Sequence, residues 1–163
     1  MAAETAISRR DLLRGRPQPG PFRARPPGVT RQSLAACTSC GACADACPEK
    51  ILDIVEDGVT LRPEAGECTF CGACAEACPE DVFADNRRMA HVMQISGDCL
   101  AKAGVACMTC RDVCPESAIA MRPRIGGPFL PELDTENCTG CAACSAACPA
   151  DAIHAVEREP ENV

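Results

Sequence analysis

Four near-identical cysteine quartets constrain this chain more than any other feature. Cys37-x2-Cys40-x2-Cys43-x3-Cys47-Pro48 is the first unit. Cys68-x2-Cys71-x2-Cys74-x3-Cys78-Pro79 is the second, and Cys138-x2-Cys141-x2-Cys144-x3-Cys148-Pro149 the fourth. The third, Cys99-x7-Cys107-x2-Cys110-x3-Cys114-Pro115, stretches its first gap by five residues. The units are separated by 20, 20 and 23 residues, and together they use all 16 cysteines. A repeat of this kind decides the architecture before any local propensity does.

Three chemistries use dense cysteine. A disulfide framework suits short secreted chains. No stretch here reads as a cleaved secretory signal, and disulfide scaffolds do not repeat one tight quartet. Structural zinc uses two Cys-x2-Cys pairs set a dozen or more residues apart; triplets at x2, x2 do not supply such pairs. Iron–sulfur clusters remain. In the run C-x2-C-x2-C-x3-C-P the fourth thiolate ligates the other cluster of a pair. A cubane presents irons on several sides, so a loop with a thiolate every third residue can reach three of them. The fourth, one short helical turn on, points to the neighbour, and the proline after it favours a bend. Four quartets predict four [4Fe–4S] clusters, with all 16 cysteines as both cofactor-binding and iron-ligating residues.

Composition agrees with an inorganic core. Leu, Ile, Val and Phe number 28 of 163 residues, with no Trp or Tyr and a net charge of -7. That is too little apolar bulk for an ordinary acidic domain. Clusters in place of Leu and Phe resolve the shortfall, and they make metal binding the source of folding energy. Small residues between the ligands (Thr38, Ser39, Gly41, Ala42, Thr69, Gly72, Ala73, Thr139, Gly140, Ala142, Ala143) let backbone N–H groups approach cluster sulfur. Phe70 breaks that pattern, either shielding a cluster or simply packing.

Short β-like stretches follow three of the Cys-Pro pairs: Ile51–Val55, Ala118–Met121 and Ala152–Val156. Met89–Ile95 is a further strand candidate. Glu56-Asp57-Gly58-Val59 reads as a hairpin turn, and Gly126-Gly127 as another. Ala42–Ala46 and Ala73–Ala77 suit one helical turn each.

The predicted fold is α+β, two dicluster ferredoxin-like modules in tandem behind a disordered basic N-terminal arm. The arm spans residues 1–31, the first module 32–97 and the second 98–163. In this layout Cys37, Cys40, Cys43 and Cys78 share one cluster, and Cys68, Cys71, Cys74 and Cys47 its partner. Cys99, Cys107, Cys110 and Cys148 pair against Cys138, Cys141, Cys144 and Cys114. A nested layout, with units two and three inside one and four, is the alternative.

The arm holds seven arginines against Glu4 and Asp11, a charge of +5; the remaining residues hold nine basic and 21 acidic groups, a charge of -12. An acidic body argues against nucleic acid as a partner. No apolar run approaches the ~20 residues needed to span a bilayer. Ser8-Arg9-Arg10-Asp11-Leu12-Leu13-Arg14-Gly15-Arg16 is similar to a twin-arginine export signal. It continues into a proline-rich polar stretch rather than an apolar core, which predicts retention in the cytoplasm. The arm is either a solvated tail or a docking element, closing on a partner's acidic surface or folding back on the acidic body. His91 and His154 are expected at the surface, and no cysteine is left for nucleophilic catalysis. The stretched loop Leu100–Ala106 is expected to be a tolerated insertion; the alternative is a more exposed and labile third cluster.

Particular segments carry a more specific likeness: Ser8-Arg9-Arg10-x-Leu12-Leu13-x-Gly15-Arg16, Arg25-Pro26-Pro27, Glu67-Cys68-Thr69-Phe70-Cys71, Cys99-x7-Cys107-x2-Cys110 and Arg122-Pro123-Arg124-Ile125-Gly126-Gly127. The chain resembles the NapF family, ferredoxin-type accessory proteins of periplasmic nitrate reductase systems. That resemblance implies a cytoplasmic, non-catalytic 4Fe–4S protein. Its partner would be the molybdenum-containing catalytic subunit, NapA, before export. The role implied is maturation, by assembling or reducing the iron–sulfur centre of NapA or keeping it competent; the redox donor is unknown. The alternative is an electron-transfer ferredoxin subunit of a membrane or soluble oxidoreductase.

Overall fold

The computed structural model describes residues 22–84 and 89–158. Ser8–Arg16 and most of the proline-rich stretch lie outside them.

The helical elements are short, as alanine runs between closely spaced ligands dictate. A 3-10 turn over Ser33–Ala36 precedes the first quartet. Helices α1 (Ala42–Ala46), α2 (Ala73–Glu76), α3 (Thr109–Asp112) and α4 (Ala143–Ala146) each carry the third cysteine of a quartet. Leading into the second cysteine, the chain turns left-handed at the same place in three quartets: Ser39 (φ 56°), Phe70 (φ 54°) and Gly140 (φ 84°). A second left-handed residue three positions after the fourth cysteine recurs at Lys50, Ser117 and Asp151. Its N–H returns to the cysteine carbonyl, at 3.3, 3.2 and 3.3 Å. The repeat in sequence is thus a repeat in backbone conformation.

Six strands make three two-stranded antiparallel sheets. Strands β1 (Leu52–Val55) and β2 (Gly58–Leu61) form a hairpin, with Val55 opposite Gly58. The turn is therefore Glu56-Asp57, and of these residues only Gly58 has a positive φ, 99°. A Cβ there would meet Leu34 Cδ2 at 2.9 Å and Cys37 Sγ at 3.2 Å. Glycine thus serves the backbone and the fit against the first ligand loop together. Strands β4 (Ile119–Arg122) and β5 (Leu130–Leu133) form the second hairpin.

Strand β3 (His91–Ile95) pairs with β6 (Ile153–Glu157), from Ile95 opposite Ile153 to His91 opposite Glu157. β3 precedes residue 98, yet its partner closes the second half. Quartets three and four lie between these two strands.

The expectation of a disordered arm through residue 31 is corrected for its described part. Ala24, Pro26 and Val29 are buried. The Ala24 carbonyl accepts from the Leu61 N–H (2.9 Å) and the Thr60 hydroxyl (3.0 Å). Ala84 N–H donates to Gly28 O at 3.0 Å. Arg25 pairs with Asp57 and donates to Val59 O, and Arg23 Nε lies 3.6 Å from Asp57. Here the arm folds back on the acidic body. The backbone of residues 24–29 meets β2 and the segment after quartet two, a long-range match that local composition does not encode.

The core is thin and runs between the ligand loops. Ile51, Val59, Val82, Met89, His91 and Met93 are its largest fully enclosed side chains, with Cys43, Cys47, Cys110, Cys138 and Cys144 among its buried members.

Candidate iron–sulfur sites

All 16 cysteines are described and none forms a disulfide. They gather in fours from two quartets each. Cys37, Cys40 and Cys43 share a cavity with Cys78, walled by Ile54, Val59, Val82 and Phe83. Cys68, Cys71 and Cys74 share one with Cys47, walled by Phe70 and Phe83. Cys99, Cys107 and Cys110 share a third with Cys148, walled by Ile95, Leu100 and Ile153. Among neighbouring thiols, Cys138, Cys141 and Cys114 disfavour the Cys144 thiolate most, ahead of Cys110, and Cys114 and Cys138 do the same to Cys141, which makes a fourth group. Among the described residues no three His, Cys, Asp or Glu side chains converge on a single-ion position. The thiols stand around cavity walls instead, which suits a ligand with several metal atoms.

The exchange of the fourth cysteine follows from the helices. α1 presents Cys43 to one cavity and ends at Cys47, whose extended backbone (φ -70°, ψ 116°) turns it to the other. Contacts between α1 and α2, and between α3 and α4, hold the paired loops together.

Burial and neighbouring sulfur both favour the neutral form of six of these thiols. Desolvation, then the charge of Cys68, pushes Cys74 up to about 11. Desolvation, then Cys138, pushes Cys144 up to about 12. Cys43, Cys68, Cys110 and Cys141 are raised by desolvation too, against N–H groups of Ala44, Phe70, Arg111 and Ala143 that favour the thiolate. The Thr139 hydroxyl acts likewise on Cys141. Ala118 N–H donates to Cys114 Sγ (3.3 Å) and Ala152 N–H to Cys148 Sγ (3.4 Å). Such N–H···S bonds stabilise a thiolate once iron has displaced the proton. Four thiols per site, apolar walls and donors aimed at sulfur fit a cuboidal iron–sulfur cluster.

The stretched loop is compact. Ala103 N–H closes on Cys99 O (3.0 Å), Val105 N–H on Leu100 O (2.9 Å), and Lys102 Nζ caps Ile95 O (2.8 Å). Ala101 is fully buried. The turn delivers Cys99 to the cavity of Cys107, Cys110 and Cys148. Cys99→Ser is therefore expected to remove one cluster of four. Iron and sulfide counts equal to wild type would show that Cys99 is not a required ligand.

Sequence reasoning misjudged His91. It is fully enclosed, and its Nε2 lies 3.0 Å from Gly140 O. Burial, partly offset by that contact, lowers its pKa to about 4, so the ring is neutral. Its partner lies 49 residues away, and no local pattern announces it. His154 is exposed as expected.

Comparison with known proteins places this arrangement. Residues 36–82 and 105–152 each match the 4Fe-4S dicluster domain. The chain is 41% identical to the ferredoxin-type protein NapF of Escherichia coli K12, over 91% of its own length and 93% of the relative's. It is 41% identical to NapF of Haemophilus influenzae, over 79% of this chain and 76% of that one. This chain belongs to the NapF family of ferredoxin-type proteins. It is also 31% identical to the methylamine utilization ferredoxin-type protein MauM of Methylobacillus flagellatus, over 84% of this chain and 68% of the relative. Two dicluster domains and 16 cysteines give this NapF-family chain four [4Fe–4S] clusters and the character of an electron carrier. The second domain match begins at residue 105, so Cys99 lies outside it. Among the described residues no helix is long and apolar enough to cross a membrane.

Proposed function

We propose that this chain is a cytoplasmic electron-carrying maturation factor for the catalytic subunit of a periplasmic nitrate reductase, NapA, acting before export. The supporting observation is the likeness to two ferredoxin-type NapF proteins across most of the chain. All 16 cysteines are the ligands, in the four groups described above, within two tandem modules. The β3–β6 pairing favours moving the boundary between modules from residue 97 back to about residue 89.

A cluster held at each site would supply one-electron storage and transfer. The chain's part is to hold thiolates at the cavity walls, direct N–H groups at sulfur and exclude water with Ile51, Val59, Phe70 and Phe83. No group outside the clusters is required for chemistry, and the protein is not itself an enzyme.

The test uses anaerobically purified holoprotein and cytoplasmic NapA precursor. Reduced holoprotein is expected to bind the precursor and to raise the fraction carrying an intact, reducible cluster. Equal maturation with and without this protein would overturn the reading. A second reading, a general electron-transfer subunit for another oxidoreductase, has support in the similarity to MauM, a protein named for methylamine utilization. Rapid turnover with an unrelated oxidoreductase, and no binding to the precursor, would favour it.

A further inference from the structure

The loop Cys138–Cys141 is held from outside in a way that, among the described residues, the loops Cys37–Cys40 and Cys107–Cys110 are not. Arg158 Nη2 donates to Cys138 O at 2.7 Å. His91 faces Gly140 O through Nε2 at 3.0 Å. Cys68 N–H, from the second quartet, donates to Cys141 O at 2.8 Å. Three carbonyls of one four-residue loop thus accept from three distant segments. The same guanidinium reaches Thr135 O through Nη1 (2.9 Å) and His91 O through Nη2 (3.5 Å), tying strand β3 to the loop. Among the described residues no side chain donates to a carbonyl of Cys37–Cys40 or Cys107–Cys110.

The fit is close on both sides. A Cβ on Gly140 would lie 2.8 Å from His91 O and 3.2 Å from His91 Nε2. Arg158 N–H bonds Ala90 O at 3.0 Å, fixing where the guanidinium starts. Arginine is charged at every accessible pH and is only partly exposed here. With His91 neutral, it supplies a fixed positive charge against the ligand loop.

We propose that Arg158 and His91 are positioning residues for the fourth ligand loop, and that they raise the reduction potential of the site formed by Cys114, Cys138, Cys141 and Cys144. This rests on those four thiols being cluster ligands. The reasoning is electrostatic. Reduction adds one negative charge at the site. A nearby guanidinium favours the added charge, and donors that engage the carbonyls withdraw electron density from the loop. The effect is assigned to this site because the guanidinium engages the carbonyls of Cys138, Thr135 and His91, and the first and third quartets carry no such side chain among the described residues.

The experiment is an EPR-monitored redox titration of the full-length holoprotein beside Arg158→Gln, Arg158→Lys and His91→Phe, with iron and sulfide counted on each sample. In Arg158→Gln one of the four titration waves is expected to move down. At the wild-type midpoint its reduced-to-oxidised ratio should fall about tenfold, which is 59 mV for a one-electron couple. Arg158→Lys keeps the charge but loses the fork, so its wave should fall between the two. His91→Phe should move the same wave by less. Cys144→Ser should delete that wave and no other. If four clusters load and no wave moves, or all four move together, the proposal is overturned and the ligand groups stand. A wild-type protein that binds no iron would overturn the ligand reading itself. Should Arg158→Gln fail to load its fourth cluster, Arg158→Lys decides: an unmoved wave there overturns the proposal.

Discussion

Stripping iron from the anaerobic holoprotein is expected to unfold both halves of the chain, not merely bleach it. The side chains enclosed in the core are few, and five of its buried members are the proposed ligands Cys43, Cys47, Cys110, Cys138 and Cys144. Without metal these thiols stand around open cavities, where burial raises Cys43 and Cys110 and pushes Cys144 up to about 12, as it pushes the half-buried Cys74 up to about 11. The helices that carry them are four or five residues long, far below the ~12–15 residues at which an isolated helix becomes marginally stable. Three two-stranded sheets cannot compensate, since a lone hairpin is marginal at best. Chelation under reducing, anaerobic conditions should remove essentially all of the roughly 5–15 kcal/mol of ordinary domain stability. Far-ultraviolet circular dichroism and amide exchange measure this. A chelated protein that keeps its strand signal and a cooperative melt would contradict it.

The second large effect concerns the exchange of the fourth cysteine. Cys78 lines the cavity of Cys37, Cys40 and Cys43, while Cys47 lines that of Cys68, Cys71 and Cys74. Cys78→Ser alone is expected to remove about one quarter of the iron and sulfide, since one of four clusters loses a ligand. Double variants identify which. Cys37→Ser with Cys78→Ser should lose no more iron than either single change, because both act on one cluster. Cys68→Ser with Cys78→Ser should lose about one half, as independent sites add. The opposite pattern would mean that each quartet serves its own cluster.

Much of the site was legible from spacing because thiolate spacing is a local property. Ligands three residues apart can wrap one cluster face, and that requirement left its mark in the small residues around Gly41, Gly72 and Ala142. Hairpins β1–β2 and β4–β5 were legible too, through apolar strand residues flanking Glu56-Asp57 and Gly126-Gly127, since a hairpin closes over only a few residues. Where the arm folds back, the signal was weaker. Arg23 and Arg25 read only as basic residues in a charged tail until Asp57 and Val59 were placed beside them.

Cysteine spacing and the scarcity of Leu and Phe were enough, unaided, to establish what fills this protein and how many times. They could not show that β3 crosses to β6, that Cys68 meets Cys141, or that His91 and Arg158 close on the last ligand loop. Those contacts join residues 20 to 73 positions apart and rest on backbone carbonyls, which every residue carries and which therefore leave no trace in residue type. Local chemistry is written in side chains, whereas long-range joining by main-chain hydrogen bonds exists only once the chain has folded.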